Sequence, residues 1–164
     1  MTSNFVFEHD LAAKTIHMSR EFNAPIEKVW RAFTEAELLD KWVGPKPYNA
    51  VTKIMEFTVG GIWLYAMVGP EGPKGWSRAE FTAIENGKYF TTINMFSDEN
   101  GNTVDGAPRS ITETKFISID GGKTKVDIVK TFTSEATVKM FVEMGFKEGT
   151  IVGYTQLDEL LATL

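Results

Sequence analysis

Few side chains in this sequence could carry out acid–base or nucleophilic chemistry. Cysteine is absent, and the two histidines, His9 and His17, lie near the N-terminus and on the polar face of the first expected strand. Neither belongs to a His-x-x-x-His or histidine–carboxylate cluster, so the sequence predicts no zinc site and no catalytic triad. Two carboxylates on expected strands, Glu80 and Glu113, are the remaining candidates for an acid–base pair, with solvated strand carboxylates as the alternative.

Arg20 is the one charged residue on the strand face that also carries Ile16, Met18 and Phe22. A buried guanidinium requires an acidic partner or another acceptor. Three interpretations remain open: Arg20 orients an anionic ligand group, pairs with Glu80 or Glu113, or lies at the sheet rim with its head in water. Asn94, on a later strand, is a candidate hydrogen-bonding group of a cavity, and an exposed strand position is its alternative.

Aromatic residues form the other distinctive set, because they make up 12% of the chain and include 12 Phe and 4 Trp. Ligand pockets are concave and mostly apolar, with a few polar groups that fix the orientation of the ligand. Tyr and Trp can place a polar tip in an apolar wall. Ordinary core packing is the alternative for each side chain. Together with Arg20, the predicted ligand-binding residues are Trp30, Phe33, Trp42, Trp63, Tyr65, Trp76, Phe81, Phe116 and Phe146.

The elements that position these residues begin with a strand that leads into two short helices. Residues 14–22 alternate with period two, which predicts a strand. Pro25 suits a first helical position, and apolar residues follow at helical spacing up to Phe33. Thr34 and Glu37 have the spacing of a capping box and predict a second short helix. We expect the two helices to close one end of the sheet.

Six further strands, joined by turn signals, are expected after the helices. They span residues 48–57, 62–68, 76–85, 88–96, 109–119 and 123–133. Asn86-Gly87 is a strong signal for a two-residue hairpin. Residues 69–75 and 97–108 are predicted to be loops, and the first of them a mobile one. Consecutive hairpins imply antiparallel pairing.

A long amphipathic segment follows, with Ser134 as its expected N-cap. Gly145, Gly149 and Gly153 interrupt it, and each glycine costs about 1 kcal/mol relative to alanine inside a helix. Gly145 therefore indicates a break before the main C-terminal helix. The glycines either leave room for a ligand or allow close helix–sheet packing with a kink. This segment is the only long element available to cover a twisted sheet.

Composition and charge restrict the partners. The chain has 164 residues, a formal net charge of -5 and no basic run, so we expect no nucleic-acid partner. The N-terminus does not resemble a secretory signal, and no apolar run approaches the ~20 residues that span a bilayer. A cytoplasmic protein without membrane insertion is expected. One domain over residues 1–164, with an N-terminal extension at 1–13, is predicted, and both a monomer and a homodimer remain open.

Four segments together resemble a known family. They are FNAPIEKVWRAFTEAELLDKWVGP at residues 22–45, FTVGGIW at 57–63, the hairpin around DGGKTKV at 120–126 and MGFKEGTIVGYTQLDELL at 144–161. They are similar to the bacterial homologues of the heat-shock protein 90 ATPase activator, C-terminal domain type, within the START-like, helix-grip superfamily (SRPBCC). The resemblance covers about residues 14–162.

The resemblance implies an α+β helix-grip fold. In this fold a seven-stranded antiparallel curved sheet wraps around a long C-terminal helix, two short helices lie between strands 1 and 2, and a mostly apolar cavity remains. Members of the superfamily bind lipids, polyketides or other hydrophobic molecules, and a minority act on them. In the eukaryotic activator a separate N-terminal domain makes much of the contact with the chaperone. Because about 13 residues precede the first strand, that domain is expected to be absent here.

Three functions are therefore considered, in descending order. The first is non-catalytic binding of a hydrophobic or amphipathic small molecule between the C-terminal helix and the sheet, with loops 69–75 and 97–108 near the mouths of the cavity. The second is a stand-alone chaperone cofactor in the stress response, with a heat-shock chaperone as its partner. The third is an enzyme that acts on a polyketide-like or lipid-like substrate through Glu80 and Glu113. We predict no cofactor, no metal and, for the first two functions, no catalytic residue.

Overall fold

The secondary structure comprises eight strands and four helices within residues 4–103 and 105–164, the part of the chain that the computed structural model describes. The strands are β1 (Val6–Asp10), β2 (Thr15–Phe22), β3 (Asn49–Met55), β4 (Ile62–Gly69), β5 (Gly72–Glu85), β6 (Tyr89–Ser97), β7 (Arg109–Ile119) and β8 (Lys123–Phe132). The helices are α1 (Ile26–Thr34), α2 (Ala36–Trp42), α3 (Glu135–Glu143) and α4 (Phe146–Leu161). The strands form one curved antiparallel sheet in the order β1-β2-β8-β7-β6-β5-β4-β3, and α4 lies over its concave face.

The sheet has one strand more than the seven predicted. β1 lies within the expected N-terminal extension and pairs with β2 from Val6↔Ser19 to Asp10↔Thr15. Its sequence signal is weak because four of its five residues are exposed, and only Phe7 is partly buried. The predicted strand count is therefore wrong by this edge strand. Residues 1–3 of the same extension lie outside the described part of the chain.

The other strands are confirmed, and their ends differ from prediction by a residue or two except at the β4–β5 connection. The segment 69–75, predicted to be a mobile loop, is a tight hairpin in which Gly69 pairs with Gly72. Gly72 has a φ of 106°, a conformation that glycine adopts without steric penalty. A hairpin joins β5 and β6 at Asn86-Gly87 as predicted, but its loop has three residues and not two, since Glu85 pairs with Tyr89.

The two short helices form as predicted, but their caps differ. Pro25 is the N-cap of α1 and has an extended backbone, so it precedes the first helical residue. The predicted capping box does not form, because Thr34 is the last residue of α1 and its hydroxyl donates to the Trp30 carbonyl at 2.8 Å. Glu35 is the N-cap of α2 without a side-chain hydrogen bond. Both helices nevertheless pack their apolar faces into the core.

The C-terminal segment divides at Gly145, as predicted. The Ser134 hydroxyl caps α3 by accepting a hydrogen bond from the Thr137 backbone N–H at 3.2 Å. Gly145 has a φ of 88° and separates α3 from α4. Gly153 lies against α2, where an added Cβ would be 3.4 Å from the Trp42 carbonyl oxygen. Close helix packing therefore accounts for this glycine.

A glutamine fixes α4 to the end of α2. The Gln156 side-chain nitrogen donates to the carbonyls of Trp42 and Gly44 at 3.0 and 2.8 Å. Its side-chain oxygen accepts from the Lys46 backbone N–H at 3.1 Å. These bonds determine the distance between α4 and the helices that close the sheet. Over the described ranges 4–103 and 105–164, no helix combines the length and the apolar character that crossing a bilayer requires.

Candidate ligand-binding cavity

A cavity lies between the concave face of the sheet and α4. It has an inner lobe of ≈ 230 Å³ and an adjacent outer lobe of ≈ 210 Å³. Tyr65, Asn94, Lys130 and Phe146 line both lobes and mark their junction. Together the lobes reach the lower part of the roughly 300–1,000 Å³ range of ligand pockets. The outer lobe opens to solvent beside Met144, which is 64% exposed.

The antiparallel register determines which strand residues face the cavity. Side chains alternate across each strand, so residues directly opposite one another on neighbouring strands share a face. One row across the concave face runs from Trp63 through Ala79 and Asn94 to Ser110. This row spans four strands, so the sheet, and not a single loop, forms this wall of the cavity.

The next row of the concave face is mostly polar. It runs from Phe81 through Thr92 and Thr112 to Lys130. Thr92 and Thr112 are buried, although a strand core normally favours apolar residues. The side chains of Thr92, Thr112 and Lys130 in this row, and of Asn94 in the preceding row, are joined by hydrogen bonds. We call these four residues the polar row.

The hydrogen bonds of the polar row all lead towards the side-chain oxygen of Asn94. The Lys130 ammonium donates to the Thr112 hydroxyl oxygen at 2.8 Å. The Thr112 hydroxyl in turn donates to Asn94 Oδ1 at 2.7 Å, and the Thr92 hydroxyl donates to the same oxygen at 2.8 Å. Asn94 therefore uses its carbonyl oxygen within the row, and its amide nitrogen remains as a donor.

Lys130 is a partly buried cation at the junction of the lobes. Burial lowers its pKa from the ordinary 10.5 to about 8, because the low-polarity surroundings disfavour the charged form. Within residues 4–103 and 105–164, Lys130 forms no salt bridge. Its ammonium is thus charged at neutral pH and lacks a carboxylate partner in that part of the chain.

An aromatic pair forms another wall of the cavity. The rings of Trp63 and Tyr65 are stacked with centroids 3.9 Å apart and planes at 20°. The Trp63 indole N–H donates to the Thr52 hydroxyl at 3.0 Å, so this donor already has a hydrogen-bond partner within the protein. Burial raises the pKa of the Tyr65 phenol, and a hydrogen bond with the Ser77 hydroxyl partly opposes the shift. The pair therefore presents a flat surface to the cavity.

Six of the ten predicted ligand-binding residues line the cavity. Trp42 reaches it from α2, and its indole N–H donates to the Ala32 carbonyl at 2.8 Å, which fixes the ring. Phe146, at the start of α4, lines both lobes. The six residues are Phe33, Trp42, Trp63, Tyr65, Phe81 and Phe146.

Three other predicted aromatics line neither lobe. Trp30 and Phe116 pack against each other with ring centroids 4.9 Å apart and fill the closed end of the core. Trp76 lies on the other face of the sheet, because it alternates with Ser77, a residue that lines the outer lobe. The ring of Trp76 faces the Lys53 ammonium at 5.8 Å.

Arg20 also lies outside both lobes, and its predicted partners were wrong. Its guanidinium makes two hydrogen bonds to Asp158 on α4, each 2.5 Å long. Asp158 comes 138 residues later in the chain. Arg20 therefore joins the sheet to α4; of its three interpretations, the structural ion pair is the correct one, but with Asp158 as the partner and not Glu80 or Glu113.

The candidate acid–base pair, Glu80 and Glu113, does not face the cavity. Glu80 alternates with the cavity residues Ala79 and Phe81 and lies 3.5 Å from Arg78. Glu113 lies 3.1 Å from Lys115 and pairs with Thr91 on β6, not with Glu80. Because the two carboxylates lie on different strands and outside both lobes, they do not form a catalytic pair in the cavity.

Lys130, Thr92 and Thr112 are polar cavity residues that were not predicted from the sequence. Val126, Ile128 and Phe132 occupy the same face of β8 and are buried. Lys130 interrupts that apolar alternation in the way that Arg20 interrupts the one on β2. The same signal therefore identifies both residues. Of the two predicted loops, 97–108 contributes Pro108 to the outer lobe, whereas 69–75 contributes to neither lobe.

The curved sheet, the helix over its concave face and the apolar cavity between them define an α+β protein of the helix-grip type. The model of the Activator of Hsp90 ATPase homolog 1-like protein family matches residues 23–162. The chain belongs to this family.

Solved structures of bacterial proteins share the fold over nearly the whole chain. Protein Ms6760 from Mycobacterium smegmatis is 30% identical, with a TM-score of 0.86 and coverage of 96% of this chain and 97% of that one. A protein from Arthrobacter aurescens is 31% identical, with a TM-score of 0.86 and coverage of 97% and 92%. A protein from Staphylococcus epidermidis is 26% identical, with a TM-score of 0.85 and coverage of 96% and 94%. No curated protein matches the chain.

Proposed function

We propose that the protein binds a hydrophobic or amphipathic small molecule in the cavity under α4, without acting on it chemically. The observation that supports this proposal is the two-lobed cavity itself, with apolar and aromatic walls and a few polar side chains gathered in the polar row. This combination is typical of sites for small organic ligands. Membership of the family is compatible with such a role.

A binding role fits the chemistry of the cavity better than catalysis does. The chain has no cysteine, neither lobe is lined by a histidine among the described residues 4–103 and 105–164, and the two candidate carboxylates lie elsewhere. The remaining polar groups are hydroxyls, an amide and an ammonium, which orient a ligand through hydrogen bonds. The apolar walls supply affinity by removing apolar surface from water, at about 25 cal/mol per Å².

Titration with N-phenyl-1-naphthylamine, an uncharged dye that becomes fluorescent in apolar sites, tests the proposal. We expect saturable binding and displacement of the dye by members of a panel of fatty acids and aromatic polyketides. Native mass spectrometry of the protein purified from its own host provides a second readout for a retained ligand. If neither the dye nor any member of the panel binds saturably, and no ligand is retained, the proposal fails.

The family description supports a second candidate function, that of a chaperone cofactor. This function requires a protein-binding surface and does not depend on the cavity. It predicts that the protein accelerates ATP hydrolysis by the heat-shock protein 90 of its host. An unchanged ATPase rate at a large molar excess of the protein would rule it out.

A further inference from the structure

We infer that the ligand is an acidic amphipathic molecule, with a carboxylate held by Lys130 and Asn94 and an apolar body in the inner lobe. This inference rests on the proposed function, because it names the ligand class of the same cavity. Unused hydrogen-bond donors, the distribution of charge around the cavity and the shape of its walls all favour such a ligand.

The junction of the lobes offers hydrogen-bond donors that lack acceptors. An ammonium has three N–H donors, and the Thr112 hydroxyl is the one acceptor for Lys130 among the described residues. Asn94 accepts two hydroxyl donors at Oδ1, and its Nδ2 forms no hydrogen bond within that same part of the chain. A ligand carboxylate supplies two acceptor oxygens, which matches these two side chains.

The charge around the cavity also favours an anion. Among residues 4–103 and 105–164, neither lobe is lined by an aspartate or a glutamate, although the net charge of the chain is -5. Lys130 is the cation that the register places on the concave face at the junction of the lobes. Arg78 and Arg109 also border the outer lobe, but they share a row with Met95 on the opposite face, and Arg78 lies 3.5 Å from Glu80. An ammonium without a carboxylate beside it attracts an anion and disfavours a cationic ligand.

The walls of the inner lobe suit an apolar ligand body. The inner lobe is bounded by the flat Trp63–Tyr65 pair and by the rings of Phe33, Trp42 and Phe81. An aromatic or short aliphatic body fits between these surfaces. A carboxylate at the junction then meets Lys130 in a partly water-excluded site, where charge-assisted hydrogen bonds are about twice as strong as neutral ones.

The test compares ligands that differ in charge and not in shape. Calorimetric titrations use 2-naphthoate against 2-naphthamide, and decanoate against decanamide. We expect the carboxylates to bind the wild-type protein roughly 10- to 100-fold more tightly than the amides, as for a hydrogen bond to a charged group. Lys130→Met is expected to abolish this preference, because it weakens carboxylate binding more than amide binding.

Two further variants serve as controls. Lys125→Met removes the same charge from the same strand, but Lys125 alternates with the inward-facing Val126 and lines neither lobe. It should therefore behave like the wild type. Asn94→Asp preserves shape and adds a negative charge at the junction. It should weaken carboxylate binding more than amide binding, because like charges repel, which provides a second test that does not depend on Lys130→Met folding well.

The outcomes separate the two proposals. Equal affinities of acid and amide for the wild-type protein would overturn the acidic-ligand inference and leave the proposed function intact. The same conclusion follows if a folded Lys130→Met variant or Asn94→Asp retains the preference for the acid. If no probe of either charge binds the wild-type protein, the proposed function itself fails.

Discussion

Arg20 on β2 and Asp158 on α4 form a two-point ion pair, with Nη1···Oδ1 and Nη2···Oδ2 distances of 2.5 Å. The Arg20 side chain is 9% exposed and that of Asp158 is 42% exposed. The guanidinium also lies 4.7 Å from the centroid of the Phe22 ring. The pair therefore attaches the helix over the cavity to the sheet beneath it.

The first prediction concerns this attachment. Arg20→Met should lower the free energy of unfolding by about 2–4 kcal/mol, because it removes two charge-assisted hydrogen bonds and leaves Asp158 without its partner. Urea denaturation measures the change. Arg31→Met is the control, since its pair with Glu35 is about half exposed on both sides, and it should change stability by less than about 1 kcal/mol. Additivity of Arg20→Met and Asp158→Ala within about 0.5 kcal/mol would contradict the coupling.

The second prediction concerns Gln156, which joins α4 to the end of α2. Gln156→Leu keeps the size of the side chain but removes the partners of the Trp42 and Gly44 carbonyls. We expect a loss of about 2–3 kcal/mol in the free energy of unfolding, because buried groups are left without hydrogen bonds. Thr155→Val, at an exposed position of the same helix, should change stability by about 0.5 kcal/mol or less. Equal stability of the two variants would show that Gln156 does not anchor the helix.

The third prediction concerns the pH dependence of stability at Lys130. Its pKa of about 8 in the folded state lies below the ordinary 10.5, so the folded state releases the proton first as the pH rises. Between pH 8 and 10.5 the unfolded state binds more protons, and stability should therefore rise relative to Lys130→Met, by about 1–3 kcal/mol. The other titratable groups lining the two lobes are Tyr65 and Tyr154, whose pKa values are both raised by burial, and Arg78 and Arg109 border the outer lobe. Parallel stability profiles for wild type and variant would contradict the assignment.

The sequence identifies the fold better than it identifies the site. Alternation and turn residues indicate the strands β2 to β8, and glycine marks the α3–α4 break, because these are local signals. The Arg20–Asp158 pair could not be predicted, since its partners are 138 residues apart. The role of Lys130 emerges only when the register places it beside Thr112 and Asn94. Cavity volume depends on how far α4 lies from the sheet, which Gln156 and Arg20 determine through long-range contacts.

The fourth prediction uses tryptophan fluorescence to locate the ligand. Trp63 lines the inner lobe, whereas Trp76 lies on the opposite face of the sheet. The emission change on adding 2-naphthoate should be smaller in Trp63→Phe than in the wild type, and unchanged in Trp76→Phe. A loss of the signal in Trp76→Phe alone would locate binding on the outer face.

The fifth prediction fills the inner lobe. Ala79 is 2% exposed and faces the cavity between Trp63 and Asn94 in the register. Ala79→Leu should place its side chain in the void and reduce affinity for N-phenyl-1-naphthylamine by tenfold or more, since about 1.4 kcal/mol corresponds to a factor of ten. Thermal unfolding should show that the variant remains as stable as the wild type. Undiminished dye binding would show that the dye occupies another site.

A crystal structure of the protein with 2-naphthoate tests the central claim most directly. The account predicts density for the naphthalene ring in the inner lobe beside Trp63, with the carboxylate within hydrogen-bonding distance of Lys130 and Asn94. Side chains that fill both lobes, or a ligand bound only at the surface away from α4, would contradict it.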